Sequence, residues 1–324
     1  MSTATLGRVP FIPHDALRAL HVHEPTDDRF RAAARARQAL LREAKGWPIG
    51  MWAAGGDQQR QLGSYLAEDH GDANFISKEV ARLAHTEVAF REDGAMLAED
   101  RLFRNLISSM PATFNLLGPL ALRLRLATNV MKRICPGFVK KVDAVLFEHS
   151  PARRGTHKSA KNFTFDRSAF DALFKITTSA REHAFVSVEV KYTENLCEKA
   201  ADLRPRYDEL SQLSTMFVDP DHPALRTAPL QQLWRQHLLS FSLIHNGLYS
   251  AGRFIVIAPT LNRAVQEAVA EYRSHLLPGG IVPFDSISYS QVIEAIRRSG
   301  SPELADLLFD RYENFEPVDA LIGG

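Results

Sequence analysis

Residues 184–192, Ala-Phe-Val-Ser-Val-Glu-Val-Lys-Tyr, alternate so regularly that an extended strand is the natural reading. Val186, Val188 and Val190 fall on one face, and Ser187, Glu189 and Lys191 on the other. One face can join a core. The other sets a carboxylate and an ammonium about 7 Å apart along the strand. Eighteen residues before Glu189, the segment Phe170-Asp-Ala-Leu-Phe-Lys-Ile176 offers a second strand, with Asp171 on its polar face. An Asp on one strand and Glu-x-Lys on the next can hold a divalent metal and an attacking water against a phosphodiester. Either element alone reads better as a solvated strand edge; the combination with consecutive strands points to a metal site.

The surrounding chain supports that placement. A helix is predicted over Asp28–Lys45, ended by Gly46 and Pro48, followed by a loop over Gly50–Gly63. Further helices are predicted over 74–87 and 99–109, and from Gly118-Pro119 to about Ile134. The period then changes from 3.6 to 2. Strands are predicted at 142–149, 169–177 and 184–192, then a helix near 194–201 and a polar segment around Asp219-Pro220. A helix over 230–249, a buried strand at 253–258 and helices over 261–276 and 290–309 complete the order. Three strands with short links should form an antiparallel meander, and the fourth, after a helical crossover, can pair in parallel. The expected fold is α/β: a mixed central sheet flanked by helices, with an N-terminal helical extension. The expected division is 1–110 as arm and extension, 111–262 as the α/β core, and 263–324 as a helical segment packed on it.

Composition narrows the class. The chain has 324 residues, 45% hydrophobic and 24% charged, enough to bury a sizeable core. Its formal net charge of +1 neither advertises nor excludes a nucleic-acid partner, because local patches matter more. Two cysteines, Cys135 and Cys197, have no metal-ligand spacing and fit a reducing compartment. The first 13 residues lack a signal-peptide pattern, and Arg123 and Arg125 interrupt the longest apolar run, so a cytoplasmic protein without a membrane span is expected. No G-x-S-x-G, G-x-x-x-x-G-K-[ST] or G-x-G-x-x-G occurs, which removes support for serine hydrolase, P-loop and dinucleotide readings.

For phosphodiester hydrolysis, Mg²⁺ (or Mn²⁺ as substitute) needs hard oxygens and only one or two carboxylates. Asp171 and Glu189 would supply them, with the Val190 carbonyl as a third ligand. Lys191 would contact the attacking water and the phosphate. Metal charge and partial burial would lower its pKa, so that it orients or deprotonates that water.

These residues resemble the signature of the PD-(D/E)XK, or restriction-endonuclease-like, nuclease superfamily, and the strand–helix order resembles its core. A bacterial family of restriction-endonuclease-like proteins is similar over Asn105–Pro111, Phe114-Asn-Leu with Gly118-Pro-Leu120, Phe147–Pro151, Ala169-Phe-Asp171 and Glu189–Glu194, spanning roughly 75–260. The resemblance implies Asp171 and Glu189 as metal ligands, Lys191 as catalytic, and DNA as substrate, in genome defence or repair. The superfamily often adds a carboxylate from the first core helix. Residues 121–134 have none, so Glu148, at a strand end, is the candidate substitute. Phe170 stands where the superfamily often has Pro. Dimers that cut both strands are frequent there, so a homodimer is a candidate assembly, with an accessory protein for any translocation.

Arg153, Arg154, His157, Lys158 and Lys161 lie in one polar loop that could grip phosphates or simply be solvated. Asp166 is an alternative to Asp171. Gln231, with Arg235 and His237 on the same helix, could reach the site, though amphipathic packing explains most of that segment. His21-Val-His23 lacks further metal ligands nearby, and Ser108-Ser109 suits a helix cap better than a nucleophile. A restriction-endonuclease-like protein without catalysis, kept as a nucleic-acid or protein-binding module, is the competing reading; RNA is the alternative substrate.

Overall fold

The computed structural model describes residues 9–53, 59–151, 153, 161–198 and 200–322. The N-terminal region is helical apart from one hairpin. After α1 (His14–Ala19), the Asp28 carboxylate accepts from the Arg31 N–H at 2.8 Å and caps α2 (Arg29–Ala44). Gly46, at φ 65°, ends that helix as predicted. The predicted loop is instead a pair of antiparallel strands, β1 (Ile49–Ala53) and β2 (Gln59–Leu66). Most of β1 lies outside the core, so it lacks the alternation that marks a strand in sequence.

A 3-10 turn (Glu68–Asn74) precedes α3 (Lys78–Ala89), which starts where Ser77 accepts from the Val80 N–H. Helix α4 (Glu99–Arg104) stops early, and α5 (Ser109–Leu122) begins at the Ser108 cap. Pro119, read as a helix start, lies inside α5. It has no N–H to offer the preceding turn. The chain leaves helical geometry at Arg123 (φ −134°, ψ 77°) before α6 (Leu124–Ile134).

The central sheet follows. β3 (Val139–His149), β4 (Phe170–Thr178) and β5 (His183–Val190) form the predicted antiparallel meander. Helix α7 (Pro205–Ser214) and α8 (Gln231–His245) carry the chain across to β6 (Ala251–Ala258), parallel to β5. Helix α9 (Arg263–Ser274) then leads to β7 (Phe284–Ser288), parallel to β6. The sheet order is β3-β4-β5-β6-β7. Residues 263–324 therefore contribute a strand as well as α10 (Tyr289–Arg298), α11 (Pro302–Tyr312) and α12 (Glu316–Ile322). The single helix predicted over 290–309 divides near Gly300, at φ 89°. The helix predicted near 194–201 is irregular chain over its described residues.

One apolar cluster runs from Ile12 to Val318 and packs on the Val186–Val188–Val190 face of β5. The opposite face meets α8: Ser187 Oγ lies 2.8 Å from Ser240 Oγ, and Phe185 packs with Leu239 and Leu243. The polar face of β5 is therefore covered rather than solvated. Gly252 pairs with Phe185 across β5 and β6, and a Cβ there would lie 2.1 Å from the Phe185 ring, so a bare backbone is required. Among the described residues, no helix is long and apolar enough to cross a membrane.

His237 shows what burial on this side costs. Its ring is buried, with Nδ1 2.9 Å from Tyr272 Oη and Nε2 2.8 Å from the Val282 carbonyl. Burial pushes its pKa from 6.5 down to about 4, against the opposing effect of the Val282 carbonyl. The unfolded chain takes up that proton first, so stability is lost as pH falls from 6.5 towards about 4. The expected loss is about 3 kcal/mol. Urea melts between pH 7 and pH 4 should show a shallower loss for His237→Phe, although its baseline at pH 7 is lower.

Candidate active site

The ladder between β4 and β5 ends at Ala172 opposite Val188. One residue further on, Asp171 turns its carboxylate to β5, and Oδ2 accepts from the Val190 N–H at 2.7 Å. The next amide, Lys191 N–H, donates the other way, to Ile257 O on β6 at 2.8 Å. A residue's N–H and C=O point to the same side of a strand, so the Val190 carbonyl lies on the Asp171 side.

Glu189 and Lys191 share the covered face, at 2% and 7% exposure. Lys191 Nζ sits 2.7 Å from Glu189 Oε1. Helix α8 completes the cage. Gln232 Nε2 donates to Glu189 Oε1 at 2.7 Å, its Oε1 accepts from Lys191 Nζ at 3.0 Å, and Gln236 Nε2 donates to Glu189 Oε2 at 2.5 Å. These amides lie four residues apart, one helical turn, and so present one face to β5. Sequence reasoning chose Gln231 on this helix. Gln231 lines the same cavity, but its amide holds the Ala201 backbone, at 2.6 and 2.7 Å. A one-residue error in helical phase rotates a side chain by about 100°.

Electrostatics follow from this crowding. Burial first, and then the Glu189 charge, hold the Asp171 carboxyl well above the ordinary carboxylate range; Lys191 and the Val190 N–H only partly offset them. Burial alone would depress Lys191, but Glu189, Asp171 and Glu194 overcome it and raise its pKa. Without the metal charge on which the expected lowering rests, Lys191 is held as an ammonium by these carboxylates.

Glu194 ends the segment Glu189–Glu194 that resembles the family, and the sequence gives it no role. Oε1 accepts from the Ser109 N–H and hydroxyl, both at 2.9 Å, and Oε2 from the Tyr192 N–H at 3.0 Å. Burial would raise its pKa, but Lys191 and these amide donors outweigh it and keep the carboxyl ionised. It ties the start of α5 to the end of β5, and Ser109 is a partner of this carboxylate rather than a nucleophile.

Glu148 and Arg153 line the same cavity and are engaged with each other. Glu148 lies opposite Asp171 across β3 and β4, at φ 43°, but Oε1 accepts from Arg153 at 2.8 Å and from the Met96 N–H at 3.2 Å. The Arg153 side chain is 2% exposed, so it is a buried partner of Glu148 and not an open phosphate grip. Lys161 is exposed and lies over the Phe165 ring at 5.8 Å. Arg154, His157 and Lys158 lie outside the described residues. Asp166 is engaged by Arg235 at 2.7 Å, Tyr207 at 2.6 Å, and the Thr164 and Ser168 hydroxyls at 2.7 Å; burial would raise its pKa, but these partners outweigh it and lower it. It therefore locks α8 against the chain before β4 and is no substitute for Asp171.

All the central groups line one cavity of about 530 Å³. Among the described residues, no group of three or more His, Cys, Asp or Glu could hold a metal ion. The oxygens present nevertheless fit a hard cation that keeps several waters. Asp171 Oδ1 has no hydrogen-bond partner among the described residues, Glu189 is adjacent, and Gln236 Oε1 is buried and unpartnered. Replacing Gln236 by Leu should weaken any such cation's binding or the resulting activity by about 10–100-fold, because Glu189 loses a donor that orients it. Titrating the cation against hydrolysis rate checks this.

A family model described as PD-(D/E)XK nuclease superfamily matches residues 25–314. No curated protein and no solved structure matches the chain.

Proposed function

We propose that this chain, which belongs to the PD-(D/E)XK nuclease superfamily, is a Mg²⁺-dependent deoxyribonuclease whose chemistry rests on Asp171, Glu189 and Lys191. The carrying observation is the convergence of Asp171 and Glu189 from neighbouring strands, with Lys191 Nζ 2.7 Å from Glu189. A bound divalent cation would supply Lewis acidity and a more acidic water. Asp171, Glu189 and the Val190 carbonyl would hold that cation. Lys191 would place its ammonium against a non-bridging oxygen and stabilise the charge that grows as water bonds to phosphorus and the bond to the leaving sugar oxygen breaks. Gln232 and Gln236 keep Glu189 fixed for that task, and Glu148 holds Arg153.

Supercoiled, linear and single-stranded DNA, with Mg²⁺, Mn²⁺ or EDTA, provide the test, beside RNA of one matched sequence. The unsubstituted protein should cut DNA with Mg²⁺ and not with EDTA, and Glu189→Gln should reduce the rate by about 10³-fold. Equal cleavage by both proteins would reject the assignment; cleavage of RNA alone would reject the substrate. A binding module without catalysis would leave all these substrates intact.

A further inference from the structure

Resting on the nuclease reading above, we propose that the cavity admits one unpaired nucleotide of a DNA strand, so that single strands and single-strand tails are preferred over continuous duplex. The reacting groups lie beneath the surface, with Glu189 2% and Lys191 7% exposed. The way to them is a cavity of about 530 Å³, a volume in the range of small-molecule pockets. A continuous duplex presents its phosphates on the outside of a stacked rod and would have to surrender a nucleotide to reach them.

The lining offers both kinds of contact that a nucleotide makes. Met96, Leu97 and Met110 give it apolar surface, as do Phe114 and Phe147, stacked on each other at 4.6 Å. Met96 is 77% exposed, so its thioether is open to a ligand entering the cavity. A polarisable thioether makes favourable contacts with an aromatic ring, and a base offers that ring without regard to sequence. Two basic residues, Arg101 and Arg167, also line the cavity. Arg101 reaches Glu194 only at 3.4 Å, and its side chain is 46% exposed. The Arg167 guanidinium, over Gly94, has neither ion pair nor hydrogen bond among the described residues. A cation with no carboxylate partner among the described residues, at the edge of a site crowded with carboxylates, is complementary to a phosphate approaching that site.

Fluorescence anisotropy in EDTA, with labelled single strand, tailed duplex and blunt duplex of one sequence, reads the preference without catalysis. The single strand and the tailed duplex should bind at least about tenfold more tightly than the blunt duplex. Arg167→Glu should weaken strand binding by about tenfold and lower the salt slope by about one. Met96→Glu should weaken it comparably without matching duplex loss. Both residues are exposed, so neither change threatens folding. Equal affinity for blunt duplex and single strand, or strand binding indifferent to both substitutions, would overturn the inference. Cleavage by the unsubstituted protein with Mg²⁺ is scored separately. A protein that cuts blunt duplex and single strand equally keeps the nuclease reading and loses this one, and a protein that cuts no DNA loses the nuclease reading.

Discussion

Asp171→Asn will abolish DNA hydrolysis and, in the metal-free protein, raise the melting temperature. Asp171 is held partly buried beside Glu189, which disfavours its charge. A carboxyl whose folded pKa is raised binds its proton more tightly when folded. Its stabilising contribution is complete below the unfolded carboxylate range and is lost as pH rises through the folded value. Ionisation of the group therefore opposes folding. An amide keeps an acceptor for the Val190 N–H and removes the repulsion. The expected gain is about 1–2 kcal/mol at pH 7, or a few degrees in melting temperature, as expected where a site trades stability for function. The gain should shrink as pH is lowered, because the unsubstituted Asp171 becomes neutral too. Thermal melts of both proteins at pH 5 and pH 7.5, in EDTA, measure it. A destabilised Asp171→Asn at both pH values would contradict the electrostatic account.

Lys191→Met should do the reverse. Lys191 is the cation closest to Glu189, and it also offsets the charge of Asp171. Methionine preserves the length of the stem and leaves two crowded carboxylates with amide donors alone. Removing one member of a buried pair typically costs about 3–5 kcal/mol, and a loss near the lower end is expected here because Gln232 and Gln236 remain. Hydrolysis should fall by about 10²–10³-fold through lost charge stabilisation. Saturating Mg²⁺ should restore more stability to Lys191→Met than it adds to the unsubstituted protein, since the ion relieves the same repulsion. Urea unfolding with and without Mg²⁺ checks all but the rate. A variant as stable as its parent in EDTA would show that the ion pair carries no weight.

The sequence announces some of this arrangement and conceals the rest for identifiable reasons. β4 and β5 send every second residue, Ala172, Phe174 and Ile176 and Val186, Val188 and Val190, into the large apolar cluster, so this part of the meander could be read directly; β3 is less regular, with two shifts of register. β7, Phe284-Asp-Ser-Ile-Ser288, is short and polar, and only its pairing with β6 makes it a strand. Pro119 misleads because proline usually opens a helix, whereas here packing carries α5 through it. Within the site, Asp171, Glu189 and Lys191 are legible because strand alternation fixes which side chains share a face. Gln232 and Gln236 are 43 and 47 residues from Glu189. They are found only once the phase of α8 against β5 is known. Arg153 misleads in the other sense: the turn at Glu148, φ 43°, draws an apparently free basic residue into a buried ion pair. Glu194 carries a weak signal, a third carboxylate five residues beyond Glu189, but nothing local tells that it caps α5.

Calorimetric titration of Mg²⁺ into the unsubstituted protein, Asp171→Asn and Glu189→Gln is the most direct test of the two converging carboxylates. The unsubstituted protein should show saturable binding that both substitutions weaken by at least about tenfold. Binding of equal affinity in all three proteins would place the ion elsewhere and contradict the assignment of the site.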